Sequence, residues 1–298
     1  MRPPSHILAM RRPAAAMLLI VSCCLAGLPA TGRAEPLRAV YGVQAAGMQV
    51  MRLEVVFDLS RPGHYAIESQ TRFTGVAGWF ASGASTSRVD GAWQDGRASP
   101  QRFVIDGLWR GEARRVVLDY PQGDPVLRQI IPAADPDREP VPPELRRNSI
   151  DSLSALAQLT RNLAATGRCE GRAAVFDGRR SAEFVARTAG RDILAPWRNA
   201  WHGEALRCGF IGRQTGGFRR DDDENTRQVQ EGFAWMARPA PGAPFLPVRV
   251  QMPGRWLGML TGYLLEVNGT PANAASSNSG NSSGRLAVGA EPAMSGNP

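Results

Sequence analysis

The stretch Cys169-Glu-Gly-Arg-Ala-Ala-Val-Phe176, Asp177-Gly178-Arg179-Arg180, Ser181-Ala-Glu-Phe184-Val-Ala-Arg187, running on to Leu206-Arg-Cys208, decides how the chain is read. Asp-Gly between two runs of alternating apolar residues is a strong hairpin signal, because a tight turn of the required hand needs positive φ at its centre. Two cysteines bracket this hairpin. Cys23 and Cys24 fall in the N-terminal segment, which leaves Cys169 and Cys208 as a minimal even pair in the rest of the chain. In an exported domain such a pair is expected to form a disulfide, and their spacing is nothing like the Cys-x-x-Cys of a redox-active couple. Closing a loop of about 40 residues contributes about 4 kcal/mol in the chain-entropy description.

The export premise rests on residues 1–34, which read as a signal peptide. Arg11-Arg12 form the positive region, Ala14 to Leu28 is an apolar run too short for a comfortable membrane span, and Ala30 and Ala34 end small-residue cleavage sites. Ile20-Val21-Ser22-Cys23 fits a second reading, a lipoprotein signal in which Cys23 anchors the protein through lipid. A third reading leaves the segment uncleaved as an anchor, and all three place the remainder in an oxidising compartment, the periplasm. The 298 residues suffice for a sizeable core. The formal charge of +8 is carried without lysine: all 35 basic residues are arginine. Four of them (Arg2, Arg11, Arg12, Arg33) precede the first acid, Glu35, so the rest of the chain sets 31 arginines against 27 acids. A scattered excess of four argues against a nucleic-acid groove.

From Leu37 to Ile131 the chain is a succession of short β-runs: Ala39–Val43, Met48–Leu59, His64–Phe73, Ser85–Trp93, Pro100–Leu108, Arg114–Tyr120 and Val126–Ile131. Arg61-Pro-Gly63, Asp95-Gly96 and Asp106-Gly107 read as turns. Strands that follow one another with no helix between them imply an antiparallel meander. Thr74 to Gly83 does not alternate and is expected to be a short helix or a covering loop. Residues 132–147 hold five prolines and read as an irregular connection. A helix is expected over 149–166, capped by Asn148 or Ser149, with Asp151 in its first turn and Gly167 as its stop. Leu153, Leu156, Leu159 and Leu163 share one face of it. Further strands are expected at Ala205–Ile211, Gln228–Ala237, Pro247–Met252 and Trp256–Val267. The segment 268–298, poor in large apolar residues, reads as a disordered tail. The expected fold is mainly β: a single domain over 35–267, built as a curved antiparallel sheet or half-barrel with one amphipathic helix packed on it.

Several pieces of this layout resemble a bacterial envelope family, domain of unknown function 3108. They are Tyr41-Gly42-Val43, Asp151-x-Leu153-Ser154-Ala155-Leu156 on the helix, Val175-Phe176-Asp177-Gly178-Arg179-Arg180, and Cys208 followed by Gly216-Gly217-Phe218. Together they span residues 37–267. The resemblance implies a fold-level likeness to periplasmic lipoprotein carriers, in which a half-open antiparallel barrel holds a helix. The family's tyrosine after the arginine pair is replaced here by Ser181-Ala182-Glu183.

The chemistry-bearing residues are few. After the leader the chain has two histidines, His64 and His202, neither at ligand spacing from a second histidine or a cysteine, so no zinc set is visible. Ser85, Ser87 and Ser154 lack a nucleophile-elbow setting. The run from Arg219 to Asn225 lacks the spaced ligands and central glycine of a calcium loop and reads as a solvated hairpin tip. His202-Gly-Glu204, with Trp197 and Trp201 before it, is either an acid–base pair beside an aromatic wall or a surface loop. Arg179 and Arg180 either clamp a phosphate or carboxylate or form ion pairs with Glu170 and Glu183. The apolar runs Phe245–Met252 and Trp256–Leu265, with Trp256 and Tyr263, either line an acyl-chain cavity or pack the core. No cofactor or catalytic motif appears. The expectation is a non-enzymatic envelope protein that binds or carries an amphiphile or supports an envelope complex. Its expected partners are a lipid, a lipoprotein or another envelope protein, with no nucleic acid and no transmembrane span. The alternative is a hydrolase of cell-wall or polysaccharide material using Glu204 with His202.

Overall fold

Period-two alternation carries most of the chain into strands, and neighbours in sequence become neighbours in the sheet. The computed structural model describes residues 35–75, 83–109, 111–133, 135–254 and 258–274. In it β1 (Leu37–Ala45), β2 (Met48–Asp58), β3 (His64–Phe73), β4 (Gly83–Gln94), β5 (Arg97–Trp109), β6 (Glu112–Asp119) and β7 (Val126–Ile131) form one antiparallel meander. Helix α1 (Ser152–Thr166) comes next. A second meander follows: β8 (Gly171–Phe176), β9 (Ser181–Leu194), β10 (Gly203–Gly216), β11 (Gln230–Ala237), β12 (Leu246–Gly254) and β13 (Gly258–Val267), with a one-turn α2 (Glu224–Arg227) between β10 and β11. β13 pairs with β1 and fuses the two meanders into one sheet, ordered β7-β6-β5-β4-β3-β2-β1-β13-β12-β11-β10-β9-β8. The short β14 (Thr270–Pro271) adds to β13. The expected antiparallel sheet with one long helix is what forms, and it stays open at β7 and β8.

Turn chemistry explains most of the connections. Ala46-Gly47, Asp95-Gly96 and Asn268-Gly269 each place both central residues at positive φ, the hand that two-residue hairpins need. Asp177-Gly178 works differently from its sequence reading. Only Gly178 has positive φ, and the Asp177 carboxylate accepts the backbone N–H groups of Arg179 and Arg180 at 2.9 and 2.7 Å, making a four-residue loop. Asp106-Gly107 is not a turn at all. Both residues lie inside β5, and a side chain on Gly107 would meet the Ala84 carbonyl at 2.5 Å. Glycine is needed there because two strand backbones approach closely.

The helix starts later than its sequence suggests. Asp151 is the cap, accepting from the N–H groups of Leu153 and Ser154, and Gly167 ends the helix at φ 69°. Ser149 and Ile150 stay out of it because Ile150 is held by the edge strand: its N–H donates to the Ala174 carbonyl, and its own carbonyl accepts from Phe176. Leu153, Ala157 and Leu163 are the buried apolar face of α1. Tyr65, Ile67, Val89, Phe103, Leu118 and Phe176, all fully buried, pack with Leu153 and Ala157 into the main core. Each such side chain contributes on the order of 1.5–3 kcal/mol by leaving water. A second cluster joins Leu163 to Cys169, Leu206, Cys208, Ala234 and Met236. The Cys169–Cys208 disulfide, with Cα atoms 5.7 Å apart, ties the segment after α1 to β10.

The open edges meet through side chains. Arg179 donates to the Ile131 carbonyl at the end of β7 at 2.6 Å, and a side chain on Gly178 would collide with Val116 of β6. The proline-rich connection pairs Arg138 with Arg219 and turns once as a 3-10 helix at Pro143–Leu145. Beyond Val267, where the domain was expected to end, order continues: Ala272 is fully buried, and the Asn268 side chain accepts the Arg38 N–H at 2.8 Å. Residues 1–34 with Cys23, expected to be a signal peptide, the centre of the Thr74–Gly83 piece, Trp256 and residues 275–298 lie outside the described residues. Among the described residues no helix is long and apolar enough to cross a membrane.

Candidate functional site

The sheet order brings four distant segments to the C-terminal end of α1. A cavity of about 510 Å³ opens there between Leu163 and Gly167 of the helix end, Leu206 of β10, Met236 and Ala237 of β11, and Phe245 before β12. Its floor is apolar: Leu163, Trp201, Leu206, Met236 and Ala237 are all buried. Its rim is polar, with Arg191, His202, Glu204 and Arg238. The Trp201 backbone N–H is held by the Leu264 carbonyl at 2.9 Å, whereas its indole N–H is buried without a hydrogen-bond partner among the described residues. A buried donor of that kind costs free energy until an acceptor reaches it. Arg238 lies 4.5 Å over the Phe245 ring and donates to the Ala243 carbonyl at 2.7 Å. The Glu204 carboxylate accepts from Arg191 at 2.9 Å, and both side chains are largely exposed.

His202 and Glu204 therefore share one cavity, while Trp197 goes elsewhere. It stacks on Tyr263 with ring centroids 4.4 Å apart, and Arg249 lies 5.4 Å over the same tyrosine. Tyr263 pairs with Arg249 in the sheet register and does not line the cavity. Arg179 and Arg180 do not project together. Arg179 turns to the carbonyls of Ile131 and Pro132 and lies 3.7 Å from Asp135, while Arg180 folds back on Asp177 at 2.8 Å. Their ion-pair partners are thus Asp135 and Asp177 rather than Glu170 or Glu183. In the acidic run, Asp221 accepts from the Arg219 guanidinium and Asp222 from the Arg219 backbone N–H.

One polar constellation lies inside the core and is not evident from spacing alone. Asp151 is fully buried; besides capping α1 it accepts the Ser154 hydroxyl at 2.5 Å, and Tyr65 donates in turn to Ser154 at 2.7 Å. Burial pushes the Asp151 carboxyl up to about 6, opposed by the hydrogen bonds it receives. Burial also raises the Tyr120 hydroxyl, and the Asp151 charge adds to that. Asp151, Ser154 and Tyr65 form a structural brace between helix and sheet. Among the described residues no cluster of three His, Cys, Asp or Glu could hold a metal ion.

The segments that carry the family resemblance meet in space. Phe176 bonds to Ile150 at the helix entry, and Gly217, at φ 72°, lies so close to the Arg179 carbonyl that a side chain there would overlap it. A family model described as protein of unknown function (DUF3108) matches residues 38–264. No curated protein matches the chain. Among solved structures it is similar to a β-barrel-like protein of domain of unknown function DUF1849 from Brucella abortus, at 12% identity and a TM-score of 0.44, covering 78% of this chain and 96% of that one. It is also similar to a provisionally assigned lipoprotein from Parabacteroides distasonis, at 10% identity and a TM-score of 0.33, covering 79% and 96%. A provisionally assigned exported protein with a YmcC-like fold from Bacteroides fragilis matches at 9% identity and a TM-score of 0.30, covering 78% and 96%.

Proposed function

The chain belongs to the DUF3108 family, and from that premise we propose a non-enzymatic envelope protein that binds or carries an amphiphile in the cavity at the end of α1. The observation that carries this reading is the cavity itself, about 510 Å³, lined by five buried apolar residues and by the polar side chains Arg191, His202, Glu204 and Arg238. Pockets that take small ligands have volumes on the order of 300–1,000 Å³, are mostly apolar, and carry a few placed polar groups. An alkyl or acyl segment would cover the floor. A carbonyl or ether oxygen of the ligand would satisfy the Trp201 indole, and the head would lie among Arg191, His202, Glu204 and Arg238.

The proposed compartment is the periplasm, supported by the leader-like residues 1–34 and by the disulfide, which persists in an oxidising environment. Lipid anchoring through Cys23 is the variant of that reading. The partner proposed for the protein is a lipid, a lipoprotein or another envelope protein. Hydrolysis by Glu204 with His202 asks for a carboxylate poised for proton transfer, and the arginine that engages Glu204 supports a binding rim instead.

Protein purified from its own host, examined by native mass spectrometry and lipid extraction, tests the proposal. The expected result is an apolar adduct released on unfolding, and its loss when Met236→Trp fills the cavity. Adduct-free protein that also fails to bind a dodecyl probe would end the reading.

A further inference from the structure

The two ends of the sheet differ in kind. Seven strands that are neighbours in it, β5-β4-β3-β2-β1-β13-β12, have one set of ends in the segments 43–51, 71–75, 83–85, 107–109, 251–254 and 258–261. Among the described residues these segments hold one charged side chain, Arg72, in a chain of which 21% is charged. The opposite ends of the same strands, with their turns, carry Arg38, Asp58, Arg61, Asp95, Arg97 and Glu266. Met48, Leu108, Met252 and Met259 stand on the uncharged ends, each between 48% and 57% exposed. The charged ends of these seven strands present no exposed large apolar side chain among the described residues.

Apolar residues scattered singly over a surface are ordinary, whereas a gathered set marks contact with something apolar. Register gathers these: Ala45 pairs with both Met48 and Leu260, Leu260 pairs with Met252, and Pro253 pairs with Met259. Every strand of the arc has a hydrogen-bonded neighbour on both sides, and the open edges β7 and β8 lie outside it. Its lip can therefore leave water without stranding a row of backbone groups. Neighbouring strands are about 4.8 Å apart and each residue advances about 3.3 Å, so the lip is a band roughly 29 Å long and about 10 Å deep. A specific protein interface buries about 800 Å² on each partner, more than such a band offers. Apolar faces that rest in the headgroup layer of a bilayer sink about 5–10 Å, which is the depth of the lip. Its one charge is a cation. Arg72 is exposed and makes no ion pair among the described residues, because Arg52, opposite it on β2, is taken by Glu266 at 3.1 Å. One arginine and no carboxylate match an anionic lipid surface.

We propose that this lip docks on an anionic lipid bilayer, with Met48, Leu108, Met252 and Met259 at the boundary between headgroups and acyl chains and Arg72 among the phosphates. The cavity at the end of α1 lies by the start of β10 and the end of β11, which the register places at the other end of the sheet. The lip is thus separate from the cavity and does not rest on the function proposed for it.

The test is flotation of protein purified from its own host with vesicles of phosphatidylglycerol and phosphatidylethanolamine, combined with hydrogen peroxide footprinting of its methionines. The expected result is that the protein floats with the vesicles and that sulfoxide formation at Met48, Met252 and Met259 slows together in their presence. The footprint reads the lip whether or not an anchor also holds the protein to the vesicle. Met252→Glu combined with Met259→Glu should weaken vesicle binding at least ~10-fold, whereas Ile193→Glu, at an 84% exposed position on the other end of the sheet, should change it less than ~2-fold. Absence of flotation, or flotation with the three methionines oxidised at an unchanged rate, would overturn the proposal. The same slowing produced by concentrating the protein without vesicles would also overturn it, by assigning the lip to a second copy of the chain. Should the variants not fold, the footprint of the wild type still decides.

Discussion

Replacing Asp151 by Asn should remove the pH dependence that this one buried carboxyl imposes on stability. The folded protein holds the Asp151 proton more tightly than an unfolded chain does, with the carboxyl at about 6 against an ordinary value of 3.8. For an acid raised in this way, the favourable contribution is complete below pH 3.8 and is lost as pH climbs to about 6. The displacement corresponds to about 3 kcal/mol. Asn keeps the acceptor for the Leu153 and Ser154 N–H groups but turns the Ser154 hydroxyl away from donating to it, which costs ~1 kcal/mol. Asp151→Asn should therefore be about 1 kcal/mol less stable than wild type near pH 4 and about 2 kcal/mol more stable near pH 8, the two curves crossing between. Asp151→Ala, which loses the cap as well, should sit a further ~1 kcal/mol below Asn at every pH. Urea unfolding followed by tryptophan fluorescence from pH 4 to pH 8, with the disulfide oxidised, measures all three. A wild-type-to-Asn difference that stays constant across that range would refute the account of the buried carboxyl.

Other perturbations separate further parts of the argument. Changing both Cys169 and Cys208 to Ala should cost about 4 kcal/mol in the same unfolding assay, given their separation of 39 residues; an unchanged midpoint would show the staple to be idle. Gly217→Ala should destabilise by more than ~2 kcal/mol, since the new methyl overlaps the Arg179 carbonyl, whereas Gly242→Ala, at a similar φ but in open space, should cost only about 1 kcal/mol. Equal effects at the two glycines would mean that this contact carries nothing. Leu163→Ala, at a position 1% exposed in both the helix face and the cavity floor, should lower stability by about 2–5 kcal/mol and enlarge the cavity, read as a change in dodecyl-probe affinity.

The strands were legible because each buries one face, which prints an alternation into Met48–Asp58 or His64–Phe73 that survives without tertiary information. Where local patterns misled, a long-range contact had decided. Asp106-Gly107 has turn composition, yet its glycine answers to the Ala84 carbonyl on the neighbouring strand. Asn148, Ser149 and Asp151 are all good caps by type, and Asp151 wins because Ile150 is already paired with β8. The two arginines after Gly178 share a loop, but their directions are set by the Ile131 carbonyl and by Asp177. The disulfide followed from counting cysteines. The candidate cavity was only partly legible. Trp201, His202 and Glu204 stood out as residue types, whereas Leu163, Met236 and Phe245 join them only through the packing of α1 against β10 and β11, which no single stretch of sequence encodes.

The most direct test of the account is to see where an alkyl ligand lands. Dodecyl maltoside, added stepwise below its micellar concentration to isotopically labelled protein, should shift the Trp201 indole N–H and the methyls of Leu163, Leu206 and Met236 together and saturably. Core methyls of Val55 and Val89, which do not line the cavity, should stay still. Shifts confined to the exposed Ile193, Met252 and Met259, or spreading without saturation while Trp201 is unmoved, would contradict the claim that the end of α1 holds the binding site.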